Sequence, residues 1–399
     1  MSSPLFSPIT HYKDAPVVAL ATEFVSATPP RGTWPTQFGG GARISRIDEP
    51  LLQDTWRVRW QVELGDAERP RGLVLGEGRI LVNGSERRGV WLLDGTPVGF
   101  FKRNPGAAFL DAEGKHFLCA DSGGIATYSL DGVREALLPL SLATFATVRE
   151  VLAGPSALVF VSNQKPPQAS ALLLAECMRL VDYGYRENGL LYGVEPVAGV
   201  MREGEHEIAA TASDTGPVLA TSDGVCFLDW HLSIRHEWPL STIPLAVSVD
   251  AAGRALLVSD DYGELKFRVL PPHPTDPERE PLVELTLPSE CRGAIPPLVT
   301  QNGQIYVCSE HALLALAPTG QLSWQQARSS LAPPVLTQNG LLLMADDQLY
   351  AVVSDGTRVP LWRPPHRIRT EAILADGIIY VATDSELFAL EPAHAATEG

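Results

Sequence analysis

Apolar residues in this chain come in short runs separated by turn residues, without the spacing of an amphipathic helix. The stretch 304–326, QIYVCSEHALLALAPTGQLSWQQ, contains three such runs, and a Pro-Thr-Gly turn precedes the third. Short runs rich in β-forming residues and bounded by turns predict strands. The pattern therefore predicts an all-β protein.

The pattern repeats towards the C-terminus. PPLVTQNG at 296–303 returns as PPVLTQNG at 333–340, and 37 residues separate Gly303 from Gly340 and Gly340 from Gly377. Each glycine is followed by two apolar strands, and in the first two repeats by a third strand with a tryptophan. A fixed period of this length, with four short strands per repeat, predicts a β-propeller.

Weaker copies upstream set the predicted number of blades. In each copy a glycine is expected to close the hairpin between the first two strands, because tight turns need a positive φ. We call the four strands of a blade A to D in chain order. The number of glycines at A–B turns predicts eight four-stranded blades, and seven or nine blades are the alternatives. These glycines are Gly78, Gly114, Gly154, Gly224, Gly253, Gly303, Gly340 and Gly377.

The last repeat, 371–392, has strands A to C and no D strand. Near the other end, DTWRVRWQVEL at 54–64 is an isolated strand of D type that contains Trp56 and Trp60. We predict that it completes the last blade, which removes two exposed sheet edges. The tryptophans of D strands are expected to pack between blades; the others are Trp238, Trp324 and Trp362.

The predicted domain layout has one propeller, at 33–392, between an N-terminal tail, 1–32, and a C-terminal tail, 393–399. The interval from Gly154 to Gly224, 70 residues, is too long for one blade. We assign the excess to an insertion at about 165–207. The good helix formers in the first half of 169–189 favour a helix there. Alternatively, ENGLLYGVEPVAGV at 187–200 is the A–B turn of a ninth blade.

The best-matched repeats resemble the pyrroloquinoline-quinone-like propeller repeat. The resemblance is specific over about 290–392 and 33–64, and degenerate between 105 and 290. In the first clear repeat the matching residues are Gly303, Tyr306, Val307, Ala315, Leu316, Thr319, Gly320 and Trp324.

This resemblance implies one of three functions. Some members of the family are dehydrogenases that bind the quinone with calcium, some are cofactor-free binders, and some are accessory propellers of bacterial systems with MoxR-type ATPases and von Willebrand A domains. The dehydrogenases have adjacent cysteines above the quinone, which this chain lacks. Asp260-Asp261 and Asp346-Asp347 recur at equivalent B–C turns, which favours turn chemistry over calcium binding. We therefore expect no cofactor.

Other motifs are explained by the repeat. CADSGG at 119–124 contains Asp-Ser-Gly-Gly, which is similar to the nucleophile loop of trypsin-like proteases. It falls, however, where other blades have a B–C turn, and a protease would also need a histidine and an aspartate beside the serine. His231 and His236 flank a predicted C–D turn. The five cysteines, odd in number and widely spaced, are typical of reduced thiols. No catalytic set emerges, so the expectation is that the chain is not an enzyme.

The net charge of the chain bears on whether nucleic acids or membranes are partners. With 31 Lys and Arg against 47 Asp and Glu, the formal charge is −16. Such a chain is unsuited to phosphate backbones and to anionic membranes, so no nucleic acid and no membrane is expected. The first residues, MSSPLFSPITHYKDAPVVALATEF, lack the charged and apolar regions of a signal peptide. A cytoplasmic location is therefore expected.

The sequence thus predicts a non-catalytic scaffold or accessory subunit that binds protein partners through loops and the insertion. The expected working parts are the tail, the insertion and a Pro-rich loop at 271–281, since propeller loops stand on a rigid scaffold. The alternative is small-ligand binding, or a quinone- and calcium-dependent dehydrogenase, in the central channel. Within the insertion, four residues of types enriched in binding hot spots are the candidate contacts: Tyr183, Tyr185, Arg186 and Tyr192.

Overall fold

A computed structural model of the chain describes side chains in four stretches and only backbone strands elsewhere. The stretches with side chains are 47–65, 70–100 (without 77 and 85–87), 209–272 (without 214 and 230–232) and 281–393 (without 331), together with 128–130. The strands described by backbone lie at 7–8, 101–102, 108–110, 116–121, 124–127, 134–138, 150–153, 158–164, 172–186, 189–202 and 208.

The chain divides into two compact units. The first consists of 1–27, 104–129 and 134–284, and the second of 28–103, 130–133 and 285–399. Each unit contains four sheets among the described residues, and the strand pairs described in them are antiparallel. The predicted four-stranded blades are thus present as sheets, while their closure into a ring of eight remains a prediction.

The first unit is built from sheets II to V. Neighbouring strands along the chain pair in order, and one sheet has a fifth strand from the N-terminal tail. Sheet II has β7 (Ala108–Leu110), β8 (His116–Asp121), β9 (Gly124–Ser129) and β10 (Arg134–Leu138). Sheet III has β11 (Glu150–Ala153), β12 (Leu158–Gln164), β13 (Leu172–Arg186), β14 (Gly189–Arg202) and, beside β14, β1 (Ser7–Pro8). Sheet IV has β15 (Ile208–Ser213), β16 (Gly216–Thr221), β17 (Gly224–Leu228) and β18 (Ile234–Pro239). Sheet V has β19 (Ile243–Val249), β20 (Ala255–Asp261), β21 (Glu264–Leu270) and β22 (Val283–Thr286).

The second unit is built from sheets I, VI, VII and VIII, with a short 3-10 turn at Ser289–Cys291. Sheet I has β3 (Gly72–Gly76), β4 (Arg79–Asn83), β5 (Arg87–Leu92) and β6 (Pro97–Lys102). Sheet VI has β23 (Ile295–Val299), β24 (Ile305–Cys308), β25 (Ala312–Leu316) and β26 (Leu322–Ala327). Sheet VII has β27 (Val335–Leu336), β28 (Leu342–Ala345), β29 (Leu349–Val352) and β30 (Arg358–Trp362). Sheet VIII has β31 (Ile373–Ala375), β32 (Ile378–Ala382), β33 (Glu386–Pro392) and β2 (Trp56–Glu63).

The prediction that an N-terminal strand completes the last repeat is confirmed. β2 pairs with β33 from Trp56 opposite Pro392 to Glu63 opposite Glu386. The edge of sheet VIII is thereby paired by a strand more than 300 residues away in the sequence. The segment before β2 adds further bonds, because both carboxylate oxygens of buried Glu49 accept backbone N–H groups, from Asp376 at 2.9 Å and Gly377 at 3.1 Å.

Most of the predicted turn glycines that fall within the described residues close an A–B hairpin with a positive φ. Gly303, Gly340 and Gly377 do so with φ of 83°, 78° and 72°. The prediction for Gly224 is wrong, because this residue begins strand C of sheet IV after the B–C turn. Its strand A is the alanine-rich IAATAS of β15, whose small side chains do not stand out in the apolar pattern. Gly114 and Gly154 lie outside the described residues.

The described part of the insertion is strand and not helix. Its first half lies in β13, which pairs with β14 from Leu172 opposite Arg202 to Arg186 opposite Gly189. The described strands do not support the alternative of a ninth blade either, since β14 belongs to the same sheet as β13. Helix propensity is a weak preference, and the long antiparallel partner overrides it by satisfying the backbone along the whole strand.

Four of the five D-strand tryptophans contact the next sheet, as predicted, whereas the indole of Trp56 donates to the carbonyl of Leu52 in the segment before β2. In three cases the indole Nε1 donates to a backbone carbonyl at the C–D turn of the next sheet, and Trp362 packs on Phe388 of the next sheet with ring centroids 5.0 Å apart. Each bond satisfies the polar group of a large apolar side chain between sheets. The three bonds run from Trp60 to Leu93 (2.8 Å), from Trp238 to Pro271 (3.0 Å) and from Trp324 to Ser354 (2.7 Å).

Candidate interaction surface

The predicted contact residues lie together at the tip of the β13–β14 hairpin. Asp182 is opposite Tyr192, Tyr185 is opposite Leu190, and Arg186 is opposite Gly189. Only two positions, 187 and 188, separate the strands, so Tyr183 is also within a few residues of the tip. The backbone register thus brings Tyr183, Tyr185, Arg186 and Tyr192 to one place. Their role in binding remains a prediction.

This hairpin is longer than the rest of its sheet. The pairing of β12 with β13 ends at Leu158 opposite Met178. Among the described strands, residues 179–186 of β13 therefore pair with β14 alone. At a rise of about 3.3 Å per residue, eight residues extend roughly 26 Å beyond the last β12 pair. Among the described strands, a two-stranded extension of this length presents both faces and both strand edges, because β1 pairs with β14 only at Val200 and Met201.

The N-terminal tail reaches the same hairpin. Ser7 pairs with Met201 and Pro8 with Val200, antiparallel to β14. Two of the segments predicted to be working parts, the tail and the insertion, are therefore joined in sheet III. The rest of the tail at 1–32 lies outside the described residues, as do 393–399 apart from Ala393.

Because strands in a meander alternate in direction, each sheet has two distinct ends. The A–B end has the A–B and C–D turns, and the B–C end has the B–C turn and the connections to neighbouring sheets. The β13–β14 overhang is at the A–B end of sheet III. The Pro-rich loop is the C–D connection of sheet V, so it is at the A–B end of its own sheet. Its residues 273–280 lie outside the described part of the chain.

A buried ion-pair cluster lies in the second unit. Arg328, whose side chain is 1% exposed, contacts Asp346, whose side chain is 3% exposed, at 3.2 Å. The guanidinium also donates to the carbonyl of Ala332 at 2.6 Å and to Cys308 Sγ. Arg328 follows sheet VI and Asp346 follows strand B of sheet VII, so the cluster ties two sheets together.

A second cluster lies in sheet V. Arg268 on strand C donates to Asp261 and, at 2.6 Å, to Glu284. Burial acts to raise the pKa of Asp261, but the hydrogen bonds from Arg268 and Thr242 outweigh it and the pKa is lowered. The predicted turn chemistry holds for Asp260, which accepts the N–H of Gly263 at 2.6 Å. Asp261 and Asp346 instead serve as partners of arginines.

No protein-family model matches this chain, and no curated protein sequence matches it. Among solved structures it is similar to BamB from Moraxella catarrhalis, with a TM-score of 0.56 and 9% identity over 84% of this chain and 100% of that chain. The fold is a β-propeller. Weaker similarities, with TM-scores of 0.45 and 0.44, are to BBS1N in complex with ARL6DN (12% identity, 86% of this chain, 99% of that chain) and to the Pan2 WD40 domain of Neurospora crassa (9%, 86%, 98%).

At this identity the similarity concerns the fold alone, so the chemistry of the propeller must be judged from its own residues. Among the side chains that the structure describes, no group of three or more His, Cys, Asp and Glu could hold a metal ion. CADSGG spans a B–C turn, as predicted, and His236 lies on a D strand, while His231 is outside the described residues. The described part of the chain has no helix long and apolar enough to cross a membrane.

The cysteines with described surroundings form no disulfide and are buried: Cys226, Cys291 and Cys308. Burial is the main reason that the pKa of Cys291 is raised to about 12. The pKa of Cys308 is also raised by burial, although Arg328 acts in the opposite direction. Since the thiolate is the reactive form, a raised pKa lowers the reactivity of both thiols at neutral pH. The side chains of Cys119 and Cys177 are outside the described residues.

The sequence interpretation missed Tyr262, an exposed aromatic residue at the B–C turn of sheet V. Its side chain is 91% exposed and its φ is +54°. The available signal was the pair Tyr-Gly at a hairpin position where Asn-Gly or Gly-Gly is usual. SDDYGEL at 259–265 was interpreted only as a turn, so the bulky side chain of Tyr262 within it was not recognised as a candidate contact.

Proposed function

We propose that this chain is a non-catalytic scaffold or accessory subunit that binds a protein partner through the β13–β14 hairpin. The observation on which the proposal rests is the hairpin itself, which extends beyond its sheet and brings the four predicted contact residues to its tip. Aromatic and arginine side chains are the types most enriched among residues that dominate binding energy. A loop held on a propeller is also a typical recognition element.

The non-catalytic part of the proposal is supported by two features. The described residues offer no metal-binding group, and the thiols of Cys291 and Cys308 are held protonated by burial. Cysteines that form no disulfide also favour a reducing compartment, so the proposed location is the cytoplasm.

The resemblance to accessory propellers extends the proposal to the class of partner. We propose a MoxR-type ATPase or a von Willebrand A domain of a bacterial multi-protein system. Neither nucleic acid nor membrane is proposed, because the chain has a formal charge of −16.

The test is affinity purification of the tagged full chain from its own cells, beside a variant with a shortened hairpin. Deleting 181–193 and joining Leu180 to Val194 through Asn-Gly leaves a two-residue turn between residues that already pair. All pairs between β12 and β13 are retained. We expect a stoichiometric partner with the full chain and its loss with the shortened hairpin.

Two further variants make the test specific. The variant Y183A/Y185A/R186A/Y192A keeps the hairpin backbone and should also lose the partner. The control L322A changes a residue that is 49% exposed on strand D of sheet VI, and it should retain the partner. If the intact chain is recovered alone at both low and high salt, the proposed function is wrong.

A further inference from the structure

Tyr262 occupies a position that a tyrosine does not favour. It is the first residue of the two-residue turn between β20 and β21, where Asp261 pairs with Glu264. With φ of +54° it lies in the left-handed region, which only one other described non-glycine residue, Asp376, adopts. This conformation costs a bulky side chain folding free energy, and glycine or asparagine would avoid the cost. The ring recovers nothing by burial, since the residue is 91% exposed.

The exposed ring is nevertheless held in place. The Tyr262 hydroxyl is 2.9 Å from Ser241 Oγ, in the connection that enters sheet V. The next residue of that connection, Thr242, donates its N–H to the carbonyl of Ser222 at 3.0 Å, which anchors the connection on the B–C turn of sheet IV. Beside it, Ile243 is 47% exposed at the start of β19. The aromatic ring thus contacts an anchored connection that also carries an exposed aliphatic side chain two positions further on.

The surroundings of this pair are acidic. Asp261 and Glu284 share one guanidinium, that of Arg268, so this cluster retains net negative charge. Asp260 precedes it with a carboxylate that accepts a turn N–H. Glu264, which follows the turn, is balanced by Lys266 at 2.9 Å. The field at this turn therefore favours a cation.

We propose that Tyr262, Ser241 and Ile243 form a second protein-binding surface, which accepts an arginine- or lysine-containing segment of a partner protein. The open face of a tyrosine ring attracts a guanidinium or ammonium group, and the adjacent carboxylates strengthen that attraction. Ile243 contacts the aliphatic part of the same segment. This surface is at the B–C end of sheet V, whereas the hairpin overhang is at the A–B end of sheet III, so it is a site beyond the one under Proposed function.

The unfavourable backbone allows binding and folding to be separated experimentally. Y262G removes the ring and suits the left-handed turn, so its melting temperature should equal or exceed that of the native chain. If Tyr262 served only the fold, this substitution would lower the melting temperature. Y262F keeps the ring and loses only the hydroxyl contact with Ser241.

The experiment places a photo-crosslinking p-benzoylphenylalanine at position 262 of the full chain in its own cells, with the same group at Leu322 as the control. We expect position 262, and not position 322, to crosslink to a partner peptide that contains arginine or lysine. A synthetic copy of that peptide should bind the native chain, lose at least tenfold in affinity with Y262G and less than threefold with Y262F, and weaken as salt is raised.

The proposal is overturned if position 262 gives no crosslink beyond that of position 322, if the crosslinked segment has no cationic residue, or if Y262G binds the peptide within twofold of the native chain. The hairpin-shortened variant should still bind the peptide. Failure of this surface and failure of the hairpin proposal are therefore distinguished by separate variants.

Discussion

Asp346 and Glu391 each form an ion pair with an arginine, Asp346 with Arg328 and Glu391 with Arg57. Removing the carboxylate of Asp346 should destabilise the second unit far more than removing that of Glu391, although the Arg57–Glu391 distance is the shorter of the two. Arg57 contacts Glu391 at 2.7 Å, with side chains 49% and 23% exposed. Arg328 contacts Asp346 at 3.2 Å, with side chains 1% and 3% exposed. Burial, rather than distance, decides the difference, because an unpaired charge at the surface is solvated by water and an unpaired buried charge is not.

The expected magnitudes follow from these environments. D346A leaves the guanidinium of Arg328 buried with only the Ala332 carbonyl and the Cys308 sulfur as partners. Breaking one side of a buried pair costs about 3–5 kcal/mol. D346N keeps a hydrogen-bond acceptor and should cost less, about 1–3 kcal/mol. E391A should cost no more than about 1 kcal/mol.

The assay is urea unfolding followed by tryptophan fluorescence, since Trp324 and Trp362 lie in the two sheets that the buried pair joins. With a slope of about 2–3 kcal/mol per M, D346A should lower the midpoint by about 1–2 M. The double variant R328M/D346L removes both charges and should regain most of the loss. The reasoning is refuted if D346A and E391A shift the midpoint equally, or if the double variant is as unstable as D346A.

Three further predictions concern single residues. Since the pKa of Asp261 is lowered by folding, its contribution to stability is fully present above about pH 4 and is lost as pH falls through the folded value. D261N should therefore be less stable than the native chain at pH 7, and the urea midpoints of the two proteins should converge as pH falls below about 4. Gly356 has φ of +92°, and a Cβ at this position would lie 3.0 Å from Trp324, whereas Gly340 has φ of +78° and open space around it. G356A should therefore lower the free energy of unfolding by about 1 kcal/mol more than G340A does. Equal urea midpoints for the two variants would contradict this. Cys291, whose pKa is raised to about 12, should react with a thiol reagent at pH 7 only on unfolding, which a timed assay with and without urea would show.

Much of the fold follows from local patterns. The PPLVTQNG and PPVLTQNG repeats predicted A–B hairpins whose glycines do take positive φ. Pairing of the strand that contains Trp56 and Trp60 with β33 was predictable because a repeat with three strands leaves an unpaired edge. The packing of D-strand tryptophans against the next sheet was predictable from the same repeat, whereas the hydrogen bonds of their indoles are a finding of the structure.

The failures share a different cause. The segment now in β13 has good helix formers, and only its pairing with β14 makes it a strand. The side chains of the alanine-rich β15 are too small to form a clear apolar run, so strand A of sheet IV was not recognised in the sequence. As a result, Gly224 was assigned to the A–B turn, although it follows the B–C turn. The four hairpin residues were singled out by type, and the register that gathers them at one tip could not be known from their spacing.

The amino-acid sequence by itself determined the all-β class, the repeating strands, most of the turn glycines and the pairing of the N-terminal strand with the last repeat, because these depend on short-range backbone preferences and on a period. Only the tertiary structure decided that the insertion is a hairpin longer than its sheet, that Asp346 and Asp261 are partners of arginines, and that Tyr262 is an exposed ring held by Ser241. These features depend on which distant residues meet, and on how much water is excluded where they meet, neither of which a local pattern contains.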